Sequence, residues 1–481
     1  MNNLAFATIT QLQELLHTKK ISRKELLDFF LKRFAHHDPT VGSALEVFDA
    51  ESILKTAAND GPLSGIPGIL KDNIAQEGRR LTCASKILQN FVSTFDATAT
   101  TRLKNAGALI VGRANMDEFA MGSSTEYSAY QKTCNPWDIS RVPGGSSGGS
   151  VAAVAAGLVP WALGTETGGS VRLPAAYCGV VGLKPTYGLI SRYGLVAYGS
   201  SLDQAGVVTR TVQDNARVLS CVAGQDVKDS TSAPVSPTDY TRMLDGKIKP
   251  GLKIGVVENA LHAHGMDTEV AKLVEQALAV YTKLGAQLVP VKLPTLDYGA
   301  AVYFIISRAE LASNLSRFDG VRYGLRDRDE TTLTGMYRAT RHDGFGSEVK
   351  GRIIIGNYVL SAGHASDFYG NACIVRQLIR NEFAQTFKNV DVLVMPTSPT
   401  PAFAFGTFAD NNLAMDLLDY FTCPINLAGI PAIAVPCGFT QNMPIGFQIV
   451  GPHLSEALLY QTAYAYEQQT SWHTMHPQQF A

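Results

Sequence analysis

Residues 141–172 of this 481-residue chain, RVPGGSSGGSVAAVAAGLVPWALGTETGGSVR, are so rich in glycine and serine that they limit what the chain can fold into. Two Gly/Ser clusters, 144–150 and 168–170, flank an apolar segment of small residues. Glycine loses more backbone freedom on folding than any other residue, so such clusters indicate a backbone that approaches another group closely or adopts unusual dihedral angles. Four interpretations are open: a flexible linker, a phosphate-binding loop, the nucleophile elbow of a hydrolase, and an oxyanion site made of backbone groups.

The surrounding sequence weighs against the first three interpretations. A Gly/Ser linker is flanked by polar residues, whereas the segment after the first cluster predicts a buried helix and then a strand. A Walker phosphate loop needs a lysine, and the sequence has none between Arg141 and Arg172. Residues 145–149, GSSGG, match the elbow pattern GxSxG around Ser147, but an elbow follows a strand and needs a histidine later in the chain. The fourth interpretation depends on the rest of the chain.

Charge and cysteine content exclude several classes of protein. The formal net charge is −1, so the sequence offers no basic surface for tight, direct binding of tRNA or DNA, while binding through a partner stays open. The seven cysteines include no CxxC pair, which favours a reducing compartment over a disulfide framework or a zinc site. The N-terminus lacks the pattern of a signal peptide, and no apolar run is long enough to span a membrane. We therefore expect a cytoplasmic protein without a membrane partner.

Predicted strands alternate with predicted helices along the chain. A capping box at 22–25 opens a helix to about Phe34, within an N-terminal helical region of about 9–36. Residues 252–291 predict a strand, a helix and a second strand, as in a parallel unit. The predicted fold class is therefore α/β, with a single large domain over 1–481 and a mixed, mostly parallel central sheet covered by helices.

Histidine is absent from the part of the chain that carries the Gly/Ser clusters. None lies between His37 and His262, so a Ser-His-Asp triad would need a distant histidine. We expect His262 and His264 to be solvated, because they precede a predicted surface helix. Without a His/Cys/Asp cluster at ligand spacing, the sequence predicts no metal site.

Lys71 is the residue that offers another base. It ends the apolar part of 63–74, LSGIPGILKDNI, where it must pair with Asp72, lose its charge or, in the plainest alternative, reach solvent at the end of a strand. A neutral lysine can activate a serine nucleophile, provided that burial lowers the pKa of its amine towards neutrality.

Three separated segments together resemble the amidase signature family: Lys71 in GIPGILKDNI, GGSSGGS at 144–150 and TETGGSVR at 165–172. Their separations, 75 residues between 71 and 146 and 24 between 146 and 170, match the Ser–cis-Ser–Lys triad of that family. The resemblance implies that Ser170 is the nucleophile, that Ser146 is a bridging serine after a cis peptide bond, and that Lys71 is the base.

The resemblance also implies an oxyanion hole. Its donors would be backbone N–H groups of Thr167, Gly168, Gly169 and Ser170, aimed at the charge that develops on the substrate oxygen. Ser147 then becomes a supporting residue rather than an elbow nucleophile.

Five further stretches extend the resemblance over nearly the whole chain: 82–88, 114–126, 178–188, 313–324 and 425–438. They are similar to the family members that release ammonia from glutamine for tRNA amidation. The resemblance thus implies a single amidase domain with its signature core at about 63–210, glutamine as substrate, and a complex with two further subunits, B and C. It implies no cofactor in this chain, with ATP and Mg²⁺ at the partner subunit, which also brings the mischarged tRNA.

Glutamine carries an α-carboxylate and an α-ammonium group, so its pocket should offer one cation and one anion. By resemblance these are Arg352 in EVKGRIIIGNY and Asp419 in LLDYFTCP, with Tyr303 lining the site. The residues alone favour surface ion pairing for an arginine and an aspartate in these positions.

Two positions depart from the family pattern. Glu166 stands where the motif usually has Asp, and Tyr127 stands where related sequences have Asn. Two other functions stay open: a free-standing amidase of the same family acting on another small amide, and a scaffold that has lost catalysis. Intact Lys71, Ser146 and Ser170 argue against the scaffold. The sequence does not decide between Glu-tRNA(Gln), Asp-tRNA(Asn) or both as the amidated species.

Overall fold

Eleven β-strands form one sheet in the computed structural model, which describes residues 4–481. The strands are β1 (Ala44–Val47), β2 (Pro67–Lys71), β3 (Leu109–Ala114), β4 (Trp161–Glu166), β5 (Val181–Lys184), β6 (Gln204–Thr209), β7 (Lys253–Val257), β8 (Gln287–Val291), β9 (Val392–Pro396), β10 (Ala432–Thr440) and β11 (Met443–Val450). Their order across the sheet is β1-β3-β2-β4-β6-β5-β10-β11-β9-β7-β8.

Helices cover this sheet, and a second group of helices packs beside it. The helices are α1 (Ile9–His17), α2 (Arg23–Val41), α3 (Ala50–Thr56), α4 (Thr98–Asn105), α5 (Gly148–Ala155), α6 (Arg172–Cys178), α7 (Val212–Val222), α8 (Glu258–Leu261), α9 (Thr268–Lys283), α10 (Leu296–Asn314), α11 (Leu333–Gly344), α12 (Ser347–Leu360), α13 (Asn371–Thr386), α14 (Asn412–Asp416), α15 (Cys423–Ala428) and α16 (Glu456–Glu467). Helices α5, α6, α7 and α16 contact the central strands, whereas α10 packs against α12, α13 and α15.

The predicted α/β class and the mixed sheet are confirmed, but the expectation of mostly parallel pairing is wrong. Within residues 4–481, four of the ten strand pairs are parallel, in two groups: β3-β2-β4 and β9-β7-β8. The other six pairs are antiparallel: five of them join those groups, and the sixth adds β1 at the edge of the sheet. The predicted strand–helix–strand unit at 252–291 is confirmed as β7-α9-β8, with the two strands adjacent and parallel.

The longest antiparallel pair is a hairpin that the sequence did not predict. Strands β10 and β11 are joined by Gln441 and Asn442, which both have positive φ, 51° and 61°. A two-residue turn with two positive φ values matches the twist of the strands it joins. Because Gln441-Asn442 lacks the glycine that usually marks such a turn, its sequence signal is weak.

The N-terminal helical prediction is confirmed and extended. Ser22 and Glu25 form the expected capping box at the start of α2, which runs past Phe34 and ends before Gly42, a left-handed residue with φ 67°. The seven cysteines are free thiols. No helix among the described residues is long and apolar enough to cross a membrane.

Candidate active site

Two neighbouring parallel strands bring the first functional residues together. Strand β2 ends at Lys71, and β4 ends at Glu166, directly before the second Gly/Ser cluster. The carboxyl ends of parallel strands meet at one edge of a sheet, which is where α/β proteins usually place their sites. The first Gly/Ser cluster leads into α5 and crosses the same edge, so Ser146 faces Lys71.

Lys71 is buried at the centre of this arrangement. Its side chain is 0% exposed, and Nζ lies 2.8 Å from Ser146 Oγ, 2.8 Å from Ser147 Oγ and 3.1 Å from the carbonyl oxygen of Thr165. The neighbouring carboxylate of Asp72 pairs with Arg113 instead. Of the three alternatives for Lys71, solvent exposure and pairing with Asp72 are therefore wrong.

Burial changes the protonation of this amine. Desolvation lowers the pKa of Lys71 to about 7, although the carboxylates of Asp117, Asp203 and Glu166 oppose the shift. Uncharged lysine is therefore available near neutral pH, and uncharged lysine can accept a proton from a hydroxyl group.

The two serines of the predicted triad have different surroundings. The Gly145–Ser146 peptide bond is cis, as expected, and the Ser146 side chain is fully buried against Lys71. Ser170 is 6% exposed, and its hydroxyl makes no hydrogen bond to any residue in the described part of the chain. The backbone N–H of Ser147 donates to the carbonyl oxygen of Ser170 at 3.1 Å, which ties the two clusters together. The Ser170 hydroxyl is thus left free for a substrate.

The N–H groups of Thr167, Gly168, Gly169 and Ser170 have no acceptor among residues 4–481. Their turn is held by Glu166, whose carboxylate accepts the N–H groups of Val171 and Arg172, each at 3.1 Å, and pairs with the buried Arg172 guanidinium. Glu166, one of the two departures from the family pattern, thus closes the turn around four available donors. Such donors can stabilise an oxyanion.

Two predicted substrate residues lie against this turn. A Cβ on Gly168 would be 2.6 Å from Tyr303 Cζ, and a Cβ on Gly169 would overlap the Asp419 carboxylate. Only glycine permits an approach this close. Asp419 accepts a hydrogen bond from Ser123 Oγ at 2.7 Å, and burial raises its pKa to about 7.

The third predicted substrate residue, Arg352 on α12, is buried and already has three hydrogen-bond acceptors. Its guanidinium donates to Tyr198 Oη at 2.8 Å, to Glu348 at 2.6 Å and to Asp416 at 3.3 Å. Surface ion pairing is therefore wrong for Arg352 and Asp419, because they are only 6% and 7% exposed. Their burial fits a pocket for a charged small molecule better than a solvated ion pair.

A cavity of about 580 Å³ opens on Arg352. Tyr127, the other departure from the family pattern, lines this cavity with Arg308, Phe304 and Asp416. A larger cavity of about 1020 Å³ lies beyond Asp419, with walls that include the flanking residues Leu418 and Tyr420 rather than the triad. Neither cavity is lined by Lys71, Ser146 or Ser170, so cavity size does not identify the reactive centre.

Histidine and metal chemistry have no geometric support within residues 4–481. His262 and His264 are exposed on the wall of the larger cavity, as expected. No group of three or more His, Cys, Asp or Glu side chains in this part of the chain could hold a metal ion.

Sequence reasoning missed the polar residues that surround the triad. Asp117, Glu118, Ser123 and Thr125 are buried, and all follow strand β3. Because β3 is the parallel neighbour of β2, its carboxyl end lies at the same edge as Lys71. The polar run after a buried strand was the signal that could have found them.

The sequence and the fold are similar to those of known amidases. The family model described as Amidase matches residues 25–460. The A subunit of the glutamyl-tRNA(Gln) amidotransferase of Heliobacterium modesticaldum is 50% identical over 480 residues, which cover 98% of each chain. The crystal structure of the corresponding A subunit from Thermotoga maritima superposes with a TM-score of 0.83 and 41% identity, covering 98% of this chain and 96% of that one. The peptide amidase of Stenotrophomonas maltophilia gives a TM-score of 0.79 and 31% identity, covering 96% and 97%.

Proposed function

Because this chain belongs to the amidase family, we propose that it is the glutamine-hydrolysing subunit of a tRNA-dependent amidotransferase. One arrangement carries the proposal: a fully buried, hydrogen-bonded Lys71 amine beside Ser146, next to a free Ser170 hydroxyl and four unpaired N–H donors. The likeness to a glutamyl-tRNA(Gln) amidotransferase sequence over the whole chain supports glutamine as the amide.

In the proposed reaction, uncharged Lys71 accepts a proton from Ser146, which in turn accepts the proton of Ser170. Ser170 Oγ attacks the side-chain amide carbon of glutamine and forms a tetrahedral oxyanion. The N–H groups of 167–170 stabilise that charge, where a single donor is worth about 3 kcal/mol. The proton returns to the leaving nitrogen, ammonia departs, and water hydrolyses the acyl-enzyme to glutamate.

Arg352 and Asp419 supply the charges that glutamine requires. We assign the α-carboxylate to Arg352 and the α-ammonium group to Asp419. We also place Tyr303, which packs over Gly168, in the wall of the pocket. A guanidinium and a carboxylate, both buried, form strong charge-assisted hydrogen bonds with ionised partners.

The ammonia would serve a partner. We propose a cytoplasmic complex with subunits B and C, in which the partner binds ATP, Mg²⁺ and mischarged tRNA, and this chain needs no cofactor of its own. The net charge of −1 agrees with a chain that does not hold tRNA directly. The tRNA amidated is Glu-tRNA(Gln), Asp-tRNA(Asn) or both, as the partner selects.

A second candidate is a free-standing amidase that acts on another small amide. Its support is the shared fold with a peptide amidase at 31% identity. Glutamine hydrolysis should be measured with and without subunits B and C, beside aryl and alkyl amides. Strong stimulation of glutaminase activity by the partners supports the first function, whereas high activity of the chain alone on the other amides supports the second.

Replacement of the nucleophile tests the chemistry itself. We predict that Ser170→Ala abolishes ammonia release from glutamine in the assembled complex, because the reaction then has no attacking hydroxyl group. The exposed Ser316→Ala is the matched control and should retain full activity. Unchanged glutaminase activity in Ser170→Ala would remove Ser170 from its assigned role.

A further inference from the structure

We propose that the adjacent carboxylates of Asp117 and Glu118 are positioning residues that hold the catalytic serine loop and the Arg352 helix in register. This inference rests on the proposed glutamine hydrolysis. The two side chains leave the same turn after β3 and serve different parts of the site: Asp117 contacts the Ser146 loop, and Glu118 contacts the start of α12.

Asp117 is fully buried against the peptide that precedes Ser146. Its own N–H donates to the Ser146 carbonyl oxygen at 3.2 Å, and a Cβ on Gly145 would overlap its carboxylate. The same carboxylate accepts the N–H of Thr125 at 2.9 Å and the N–H of Tyr127 at 3.1 Å. One side chain therefore fixes the Ser146 loop against a second loop, 122–127.

That second loop reaches both the reactive centre and the substrate residues. Thr125 Oγ1 donates to the Gly144 carbonyl oxygen at 2.8 Å and accepts the N–H of Gly148 at 3.1 Å, so it bridges the two ends of the serine loop. Ser123, in the same loop, donates to Asp419. A shift of Asp117 would therefore move Ser146 relative to Lys71.

Glu118 positions the start of α12, the helix that carries a residue assigned to substrate recognition. It is 2% exposed, accepts a hydrogen bond from Ser85 Oγ, and accepts the N–H of Gly346 at 2.9 Å. Gly346 immediately precedes α12, the helix that carries Arg352 less than two turns later. A carboxyl oxygen at a helix N-terminus satisfies an N–H group that has no partner within the helix. Glu118 thereby fixes where α12 begins and hence where Arg352 lies.

The two roles separate kinetically. Asp117 acts on the groups that react, so Asp117→Asn should lower kcat by about a hundredfold, as expected for a small misplacement of reacting groups. Glu118 acts on the cation that holds the substrate carboxylate, so Glu118→Gln should raise the KM for glutamine about tenfold with a smaller effect on kcat.

A second readout separates positioning from general damage at Asp117. Lys71 faces the carboxylates of Asp117, Asp203 and Glu166 and the thiol of Cys83, and Asp117 is the largest of these influences. In Asp117→Asn the others remain, so the Lys71 amine loses its proton more easily. The acidic limb of the kcat/KM profile should then shift to lower pH, a change that unfolding does not produce.

The experiment measures glutamine hydrolysis by the complete complex, and glutamine Kd by calorimetry in a Ser170→Ala background. Glu467→Gln is the matched control, because Glu467 is also a buried carboxylate that accepts a helix-initiating N–H, that of Val212 at 2.7 Å, away from the site. Ser85→Ala, which removes one donor to Glu118, should raise Kd in the same direction by a smaller factor and serves if Glu118→Gln does not fold.

Two outcomes overturn the inference. In the first, Glu118→Gln changes KM and kcat no more than Glu467→Gln does. In the second, Asp117→Asn keeps the wild-type kcat and pH profile. Either outcome leaves the proposed function intact as long as the wild-type complex hydrolyses glutamine, whereas a wild-type complex without glutaminase activity contradicts the proposed function itself.

Discussion

Burial and nearby charge shift the pKa of the Lys71 amine in opposite directions. Desolvation lowers the pKa of Lys71 to about 7, and the surrounding carboxylates keep it from falling further. Full burial without those carboxylates would favour an amine too weak to take a proton from a serine. The balance keeps the pKa of Lys71 near neutrality, which suits the role of general base that we propose for it.

The pH dependence of the reaction follows from this balance. Protonated Lys71 cannot accept a proton, so kcat/KM for glutamine should be low in acid and rise as pH increases through about 7. Initial rates of ammonia release across about pH 5.5 to 8.5 measure the profile, with circular dichroism at each pH as a control for folding. A flat profile, or a maximum on the acidic side, would contradict an uncharged Lys71 as the base.

Replacement of Arg352 tests substrate recognition. We predict that Arg352→Ala raises the KM for glutamine by about 10- to 100-fold, because a charge-assisted contact to the α-carboxylate is lost. Turnover of butyramide, which has no carboxylate, should fall much less. Arg352→Lys keeps the charge and should recover part of the loss, whereas exposed Arg242→Ala should behave as wild type. Equal losses on both amides would argue for structural damage instead.

Among individual residues, the contact of Lys71 with Ser146 agrees with the predicted triad, whereas the residues around it could not be predicted. Three sequence motifs, together with their spacing, related Lys71, Ser146 and Ser170 to the pattern of a known family. Asp117 and Glu118 resemble any acidic pair in a polar loop, and their meaning depends on which glycine lies beside them in three dimensions. Burial of a polar group is a tertiary property, so the local sequence carries little trace of it.

The turn between β4 and α6 shows how closely single elements are fitted at the site. Gly168 and Gly169 leave just enough room for Tyr303 and Asp419 to pack against the N–H donors. The turn is shaped from within by Glu166, which reaches the first residues of α6. The extra methylene of Glu166, compared with the usual Asp, is thus accommodated by direct contact with Arg172.

Replacement of one glycine tests this fit. We predict that Gly169→Ala lowers glutamine hydrolysis by about a hundredfold or more, because the added methyl group must displace Asp419 or the turn that carries Ser170. Gly370→Ala is the control, since its φ is −58° and the nearest atom to an added Cβ is 3.7 Å away. Its activity should be unchanged. Full activity in Gly169→Ala would show that the turn tolerates displacement.

Elements with a clear hydrophobic period could be predicted, and those without one could not. Helix α9 buries residues at helical spacing, as its sequence period predicts: Val270, Val274, Ala277, Leu278 and Tyr281. Helix α12 carries Ile353, Ile354 and Ile355 in succession, and Ile354 is 69% exposed, so its sequence marks no single buried face. The parallel unit β7-α9-β8 was expected, but the antiparallel strands in the middle of the sheet depend on long-range pairing that local patterns do not encode.

For the whole molecule, the continuous sheet supports the prediction of a single domain. Strands from both ends of the chain pair in the middle of the sheet, since β5 lies beside β10. The site itself combines Lys71 from the first hundred residues with Arg352 and Asp419 from the last third of the chain. We therefore propose that residues 1–481 fold as one unit.

Unfolding experiments test this proposal. The three tryptophans, Trp137, Trp161 and Trp472, lie in or beside β4 and β10, and the strands β7, β8 and β9 contain none. Tryptophan fluorescence therefore follows one part of the sheet, whereas circular dichroism follows all of it. For one unit, the two urea transitions should have the same midpoint. Separate midpoints would indicate two domains that unfold independently.

The residues assigned to hydrolysis and those assigned to substrate recognition lie in different parts of the sequence, and this separation has an evolutionary consequence. The side chains to which we assign hydrolysis come from residues 71–170, whereas those assigned to substrate recognition come from positions 303–419. A lineage can thus keep the ancestral hydrolytic residues and change its amide substrate through mutations in the later part of its gene. Descendants of such a gene would differ in the amide they select before they differ in the residues that cleave it.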